Sequence, residues 1–333
     1  MSPAADGSDV SALLRAHHAL KDARLDGGRV QGAQLERITN ALNEVWRYGP
    51  YILRINPRPG ATRLQREAHL LRTLPPEVRA PRAVATGAAS WGEWMVAMCI
   101  PGRELSRVWR GLRRVERKRS ITELAGCLEA LHHVPATGEA PGGDEDSPHP
   151  LPVARLARLL DAAAALPGIE AGPIAAAREK LRSSADALDP NPTTLVHGDL
   201  HLENVLADEP GSVSGLLDFE WCRAGSPDLD LDVLLHSLAD PALHVESGDG
   251  GALQRRDFDE VVSWLRAAYP ALFEHPRLPE RLWIYRLAYE VRSLIAEPPR
   301  PGAAGGSLPP HHPYQRIVRL IEGRSDLSWF VGA

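Results

Sequence analysis

Residues 195–206 of this 333-residue chain read LVHGDLHLENVL and place an aspartate and an asparagine between apolar residues. Asp199 and Asn204 stand five positions apart, and Asp218 follows fourteen positions after Asn204, at the end of an apolar run. Carboxylate and amide oxygens are the ligands that a hard cation such as Mg²⁺ prefers. A metal site, a hydrolase and a phosphotransferase are therefore the candidate interpretations.

The spacing of these three residues favours phosphoryl transfer. That reaction needs a carboxylate that accepts the proton of the attacking hydroxyl, together with oxygen ligands that hold Mg²⁺ on the phosphates. Asp199 followed by Asn204 matches the catalytic-loop pattern of protein kinases, in which the aspartate is the base and the asparagine binds metal. Asp218 then takes the place of the second metal ligand.

The other polar residues of the stretch allow weaker alternatives. His197 and His201 are candidate zinc ligands, but two histidines four residues apart on an extended loop lack a helix to align them. A serine hydrolase would need the motif G-x-S-x-G, which the sequence lacks. We expect Glu203 to face solvent and Glu220 to lie near the site without a catalytic role. His201 either lines the site or is exposed.

The apolar pattern predicts a small sheet followed by a larger helical region. Residues 45–46 and 51–55 flank a Tyr-Gly-Pro turn and predict a hairpin, and residues 94–100 predict a later strand. The predicted helices span residues 8–25, 61–74, 121–134, 153–165, 172–188, 228–239, 257–268 and 279–296. Three short strands are predicted in TTLVHGD, NVLAD and SGLLDFE, with the last two paired through a turn at 208–214. Irregular loops are predicted over residues 135–152 and 297–313.

The composition predicts a cytoplasmic protein that is not inserted in a membrane. No apolar run approaches the ~20 residues that span a bilayer, and the N-terminus lacks the features of a signal peptide. Three widely separated cysteines form neither a disulfide framework nor a zinc pattern.

Charge is distributed unevenly along the chain. Residues 1–134 carry a formal charge of +8 and residues 135–333 carry −13, for a net charge of −5. An acidic second half would attract a cationic acceptor through its summed field. The basic stretch 107–120 is interpreted as a solvated helix or loop, and we expect no nucleic-acid partner.

The segments HGDLHLENVL and GLLDFEW resemble the signature of the aminoglycoside phosphotransferase and choline-kinase-like family of small-molecule kinases. The resemblance extends from about Arg37 to the C-terminal helices. The element GSPDLD adds the family's glycine, proline and aspartate (Asp230), with Ser226 where an aspartate is common. The resemblance implies that Asp230 braces the catalytic loop and that His197 is a structural hydrogen-bonding residue.

The resemblance implies an α+β, bilobal protein-kinase-like fold. A small β-sheet N-lobe with one helix (residues 1–100) would bind the nucleotide. A larger, mainly helical C-lobe (residues 103–333) would carry the catalytic loop and the substrate site. The hinge is expected at about residues 98–102.

The nucleotide-binding residues are implied in the same way. Arg54 occupies the position where kinases place a phosphate-binding lysine, and Glu67 is its expected partner. The backbone near Met98 and Ile100 would bond the adenine or guanine base. The stretch TNALNEVW stands in place of a glycine-rich loop but contains no glycine.

The implied activity is transfer of the γ-phosphoryl group of ATP or GTP to a hydroxyl of a small molecule. Asp199 would be the catalytic base, and Asn204 and Asp218 would bind the Mg²⁺ cofactor. An aminoglycoside or similar cationic antibiotic is the expected acceptor. Amino sugars, choline-like molecules, homoserine and macrolides stay open as acceptors. A catalytically silent nucleotide-binding regulatory module also stays open as the function, because Arg54 stands where kinases have a lysine and the loop contains no glycine.

Overall fold

The N-terminal part of the chain is an antiparallel sheet with strand order β1-β2-β3-β5-β4. The computed structural model describes residues 7–25, 32–38, 43–136, 148–149, 151–189, 194–208, 210–241, 252–300 and 308–327. The five strands are β1 (Leu35–Ile38), β2 (Glu44–Tyr48), β3 (Tyr51–Asn56), β4 (Ala83–Ala89) and β5 (Gly92–Met98). Two helices, α1 (Gly7–Ala23) and α2 (Arg63–Leu71), accompany them.

The alternation of side chains along β3 decides where the site lies. Leu53 and Ile55 are fully buried in an apolar cluster to which α1 contributes three alanines. Successive side chains of a strand point to opposite faces. Arg54 therefore projects from the other face, where α2 presents Glu67. The N-lobe thus carries α1, which confirms the helix predicted over residues 8–25, in addition to the one helix that the resemblance implies.

The C-terminal part is mainly helical, with short strands on the side of the N-lobe. Its helices are α3 (Leu105–Val108), α4 (Arg114–His132), α5 (Val153–Ala164), α6 (Ala171–Ser184), α7 (Asp228–Ala239), α8 (Val261–Ala268), α9 (Leu278–Ala296) and α10 (Pro313–Ile321). Its strands are β6 (Arg103–Glu104), β7 (Thr194–Val196), β8 (Val205–Ala207), β9 (Val213–Leu216) and β10 (Arg223–Gly225). Strands β6, β8 and β9 form one sheet, and β7 pairs with β10. The loops after β7 and β9 carry the motif residues.

The two hairpins predicted at 45–55 and 205–216 are confirmed by the pairings of β2 with β3 and of β8 with β9. The strand predicted over 94–100 ends earlier, at Met98, where the chain turns toward the proline at 101. Helix α4 begins seven residues before the predicted start because Glu116 accepts the Arg113 N–H at 2.7 Å and satisfies the first turn. Strand β1 was not predicted.

Some predicted features lie outside the described residues. These are most of the loops over 135–152 and 297–313 and residues 39–42 of the glycine-free stretch. Within the described ranges, no helix combines the length and the apolar character needed to cross a membrane.

Shortening a buried side chain of α4 should destabilise the core of the C-terminal part. Leu124 is fully buried, whereas Val115 on the same helix is 65% exposed. We expect Leu124→Ala to lower the free energy of unfolding by about 2–5 kcal/mol, because it removes buried methyl groups and leaves a cavity. Val115→Ala should change it by less than about 0.5 kcal/mol. Urea unfolding of both variants measures this, and equal effects would contradict the assigned packing of α4.

Candidate active site

The loop between β7 and β8 is fixed by a buried carboxylate. Asp230 on α7 is completely buried, and it accepts hydrogen bonds from the backbone N–H of His197 at 2.7 Å and of Gly198 at 2.8 Å. His132 lies 3.0 Å from the same carboxylate through Nε2. The bracing role expected for Asp230 is confirmed.

The histidine and glycine of this loop are structural. His197 is fully buried, and its Nε2 lies 2.8 Å from the carbonyl oxygen of Leu217, which confirms its expected role. Gly198 has φ of +80°, and a Cβ there would lie 2.5 Å from the carbonyl oxygen of Trp221. Only glycine fits this position without displacing the backbone.

Asp199 follows directly and presents its carboxylate to a small cavity beside His201. Burial alone would raise the pKa of Asp199, but His201, whose Nε2 lies 3.8 Å from Oδ2, outweighs it and the pKa lies below its usual value. Burial likewise would lower the pKa of His201, but Asp199 raises it. The carboxylate is therefore ionised at neutral pH and can accept a proton. His201 lines the site, with 22% of its side chain exposed.

Asn204 and Asp218 are held next to each other by the backbone. The amide Nδ2 of Asn204 donates to the carbonyl oxygen of Asp199 at 2.9 Å, and the carbonyl of Asn204 accepts from the N–H of Leu217 at 2.8 Å. Asp218 follows Leu217 and adopts a left-handed conformation, with φ of +63°. A non-glycine residue in that region is uncommon and often lies at a functional site.

Arg54 joins the sheet to the loop after β9. Its Nη1 donates to both oxygens of Glu67, at 2.8 and 2.9 Å, so the expected pair forms. Its Nη2 donates to Asp218 at 2.9 Å and to Glu220 at 3.2 Å. Glu67 also accepts the N–H of Phe219 at 3.2 Å. Four charged groups from three separate parts of the chain therefore form one cluster.

The cluster contains more acid than base. Oxygen atoms of Glu67, Asp218 and Glu220 lie within 4.8 Å of one another, which fits a hard cation in donor type. Burial raises the pKa of Glu67 to about 7 against the opposing effect of Arg54. Burial and the neighbouring Asp218 raise the pKa of Glu220. The raised values indicate that additional positive charge would stabilise these carboxylates.

Met98 and Ile100 lie apart from this cluster. Arg54 pairs in register with Met95 of β5, and Met98 is three residues further along that strand, or about 10 Å. The Met98 N–H donates to the carbonyl of Arg82 at 2.9 Å. The side chain of Ile100 packs over Gly215, where a Cβ would lie 2.6 Å from its Cδ1.

The cavity beside Asp199 has a volume of about 40 Å³ and is lined in part by residues that the sequence motifs did not indicate. They are His149, Asp232 and Tyr289. The Tyr289 ring lies 5.8 Å from that of His149 and 4.7 Å from that of His236. Burial lowers the pKa of His149. Of these three residues, only Asp232 has a signal in the sequence. It repeats the carboxylate of Asp230 two residues later, on a helix that is otherwise largely apolar.

The buried brace gives a pH-dependent prediction. Asp230→Ala should lower the free energy of unfolding by about 3–5 kcal/mol at neutral pH, because buried donors lose their acceptor. Although burial opposes it, hydrogen bonding from His132 and Gly198 lowers the pKa of Asp230. The stabilisation of the folded state by Asp230 is thus complete above the unfolded-state pKa of about 4. It is lost as the pH falls through the lower pKa of the folded state.

Urea unfolding of wild type and Asp230→Ala between about pH 7 and pH 2.5 measures this difference. The difference in the free energy of unfolding between the two proteins should become smaller only at the acid end of this pH range. The exposed Asp259 provides a control, since Asp259→Ala should have little effect at any pH. A difference that stays constant with pH would contradict the ionised brace.

Comparison with known proteins identifies the family. The sequence model of the phosphotransferase enzyme family matches residues 36–261, more than half of the chain. The uncharacterized protein YcbJ of Bacillus subtilis (strain 168) is 36% identical over 90 residues, 26% of this chain. That match spans only 29% of the length of this curated relative.

Solved structures show the same fold at low identity. A choline/ethanolamine kinase family protein from Mesorhizobium loti is 19% identical, with 96% of this chain and 99% of that chain covered and a TM-score of 0.58. The streptomycin–ATP–APH(2″)-IIa ternary complex is 13% identical, with 99% of each chain covered and a TM-score of 0.56. The two-lobed α+β architecture is thus kinase-like, and the chain belongs to the phosphotransferase enzyme family.

Proposed function

We propose that this protein is a small-molecule kinase that transfers the γ-phosphoryl group of ATP or GTP to a hydroxyl of an acceptor. The observation that carries the proposal is the ionised carboxylate of Asp199 on a braced loop, with Asn204 and Asp218 held beside it. Phosphoryl transfer depends mainly on positioning and on charge stabilisation. A catalytically silent module would not need these three groups together.

In the proposed reaction Asp199 accepts the proton of the acceptor hydroxyl as that oxygen attacks phosphorus. Its lowered pKa keeps it in the proton-accepting form at neutral pH. His201 Nε2 lies 3.8 Å from Oδ2, and both residues line the cavity that the acceptor hydroxyl would enter. Asp199 is therefore the catalytic residue of the proposal.

Asn204 and Asp218 would hold Mg²⁺. Bound there, the ion would neutralise charge on the β- and γ-phosphates. The backbone bond from Leu217 to Asn204 sets the separation of these two residues. The αL conformation of Asp218 sets the direction from which its carboxylate enters the site. Both proposed ligands would thus be in position before the nucleotide binds.

The N-lobe, proposed as residues 1–100, would bind the nucleotide, and residues 103–333 would supply the catalytic loop and the acceptor site. Arg54 would face the phosphates while Glu67 holds it in place. The base would lie at the hinge of about residues 98–102. Because the Met98 N–H is used inside the sheet, the proposal assigns the Met98 carbonyl and the Ile100 N–H to the base.

The acceptor is proposed to be an aminoglycoside or a similar cationic antibiotic. The formal charge of −13 on residues 135–333 favours cations. Streptomycin occupies one of the similar structures. Amino sugars, choline-like molecules, homoserine and macrolides are the alternatives within the same reaction. A cytoplasmic location, where ATP and GTP are available, is part of the proposal.

The role of Asp199 is tested by Asp199→Asn. A general base contributes about 10²–10⁴-fold, so kcat should fall by that factor while the nucleotide Kd stays within about twofold. The assay is a panel of aminoglycosides and small metabolites with ATP and GTP, read as an 80 Da increase in product mass. Asp259→Asn, at an exposed site, should match wild type. A variant that retains more than a tenth of wild-type kcat would remove Asp199 from the mechanism.

The metal assignment is tested by Asn204→Ala and Asp218→Ala. Both should raise the Mg²⁺ concentration needed for half-maximal rate and weaken nucleotide binding together, because each removes an oxygen ligand. Glu203→Ala removes a carboxylate on the same turn and serves as the control, with an unchanged Mg²⁺ titration. Titrations of both variants that overlay the wild type would show that the assignment is wrong.

A further inference from the structure

The cavity beside Asp199 contains a second carboxylate that the proposed reaction does not use. Asp232 on α7 is completely buried and lines the cavity together with Asp199. Its Oδ1 accepts a hydrogen bond from Nη2 of Arg286 at 3.2 Å. Its Oδ2 has no hydrogen-bond partner within the described part of the chain. Nε2 of His149, the neighbouring ring, is 3.8 Å from Oδ2, which is too long for a hydrogen bond.

A buried acceptor without a donor is unfavourable, and its neighbourhood indicates what would satisfy it. An unpaired polar group in a protein interior destabilises the fold unless a partner or a water reaches it. At about 40 Å³ the cavity has room for roughly three water-sized groups at ~10–15 Å³ each. That is enough for a reacting hydroxyl and one neighbouring polar group, with the rest of an acceptor outside.

The residues that line the cavity favour a hydrogen-bond donor as the group that reaches Oδ2 of Asp232. Besides Asp199 and Asp232, the cavity presents the rings of His149, His236 and Tyr289. Arg286, the cation nearest to Asp232, is itself divided between Asp232 and Asp326. A second anion would thus meet two carboxylates, whereas an N–H or O–H donor would complete the hydrogen bonding of Oδ2.

We infer that Asp232 is a specificity-determining residue that accepts a hydrogen bond from an N–H or O–H group adjacent to the acceptor hydroxyl that approaches Asp199. The acceptor is accordingly an amino alcohol or a vicinal diol. His149, whose Nε2 lies 3.8 Å from Oδ2, also lines the cavity and would limit the size of that neighbouring group. This inference rests on the proposed kinase function, in which Asp199 receives the hydroxyl proton.

The experiment uses two matched pairs of probes with the full-length protein, Mg²⁺ and ATP or GTP. Ethanolamine carries N–H donors next to its hydroxyl carbon, and choline carries none. 2-Aminocyclohexanol carries an amino group next to its hydroxyl carbon, and cyclohexanol carries only hydrogen there. In each pair that is turned over, kcat/KM for the donor-bearing member should exceed that of its partner by about 10–100-fold, as expected for one hydrogen bond to a charged group.

Asp232→Asn should reduce that ratio to within about threefold of unity, because the amide can offer its NH₂ instead of an oxygen toward the cavity. Asp228→Asn is the matched control. Asp228 is also a buried aspartate of α7 paired with an arginine, Arg281, but it does not line the cavity. That variant should keep the wild-type ratio, even if it unfolds at a lower temperature.

The outcomes separate the inference from the function on which it rests. If Asp232→Asn changes stability but leaves the ratio intact, His149 or water satisfies Oδ2 and the inference fails. If the enzyme phosphorylates the donor-free member of a pair as efficiently as the donor-bearing member, the inference fails and the kinase proposal stands. If no nucleotide is turned over under any condition, both fail.

Discussion

The arrangement of the site depends on one charged group, the guanidinium of Arg54, which is largely withdrawn from solvent with 12% of its side chain exposed. Removing an arginine from water costs several kcal/mol unless its donors are satisfied. Here both terminal nitrogens are bonded to carboxylates, two from the loop after β9 and one from α2. The strand, the helix and the loop therefore have to meet in one arrangement, because separating any of them would leave buried charge unpaired.

The buried carboxylate of Asp230 fixes the loop between β7 and β8 from the opposite side. Asp230 reaches the loop from α7, and the loop's own asparagine carbonyl then bonds to the strand end that leads into Asp218. The proposed base and the proposed metal ligands are thus placed by backbone hydrogen bonds. Positions that are set before a substrate arrives require little rearrangement during the reaction, which is how positioning lowers a barrier.

The sequence predicted the parts of the site whose spacing along the chain is set by local structure. Asp199, Asn204 and Asp218 lie on short loops bounded by apolar strands, whereas Arg54 and Glu67 were implied by the resemblance to a known kinase family. Three neighbours could not be predicted that way. His149 precedes a proline in a segment without periodicity, and Tyr289 lies on a helix buried almost all round. Asp232 repeats the carboxylate of Asp230 two residues later, but that repeat alone does not place it beside Asp199. Tertiary packing alone brings them to Asp199. Strand β1 was missed because its four residues, LERI, are mostly exposed and polar.

The balance of charge in the cleft has a consequence for the proposed chemistry. Glu67, Asp218 and Glu220 outnumber the arginine they surround, and Arg63, which lies 3.9 Å from Glu220 and 4.2 Å from the Trp221 ring centroid, offsets only part of the excess. A free nucleoside triphosphate is strongly anionic, and like charges in a partly desolvated cleft repel each other more strongly than in water. The same carboxylates attract a divalent cation. A cleft built in this way therefore favours the magnesium complex of the nucleotide over the free anion, and it does so before any contact with the base is made.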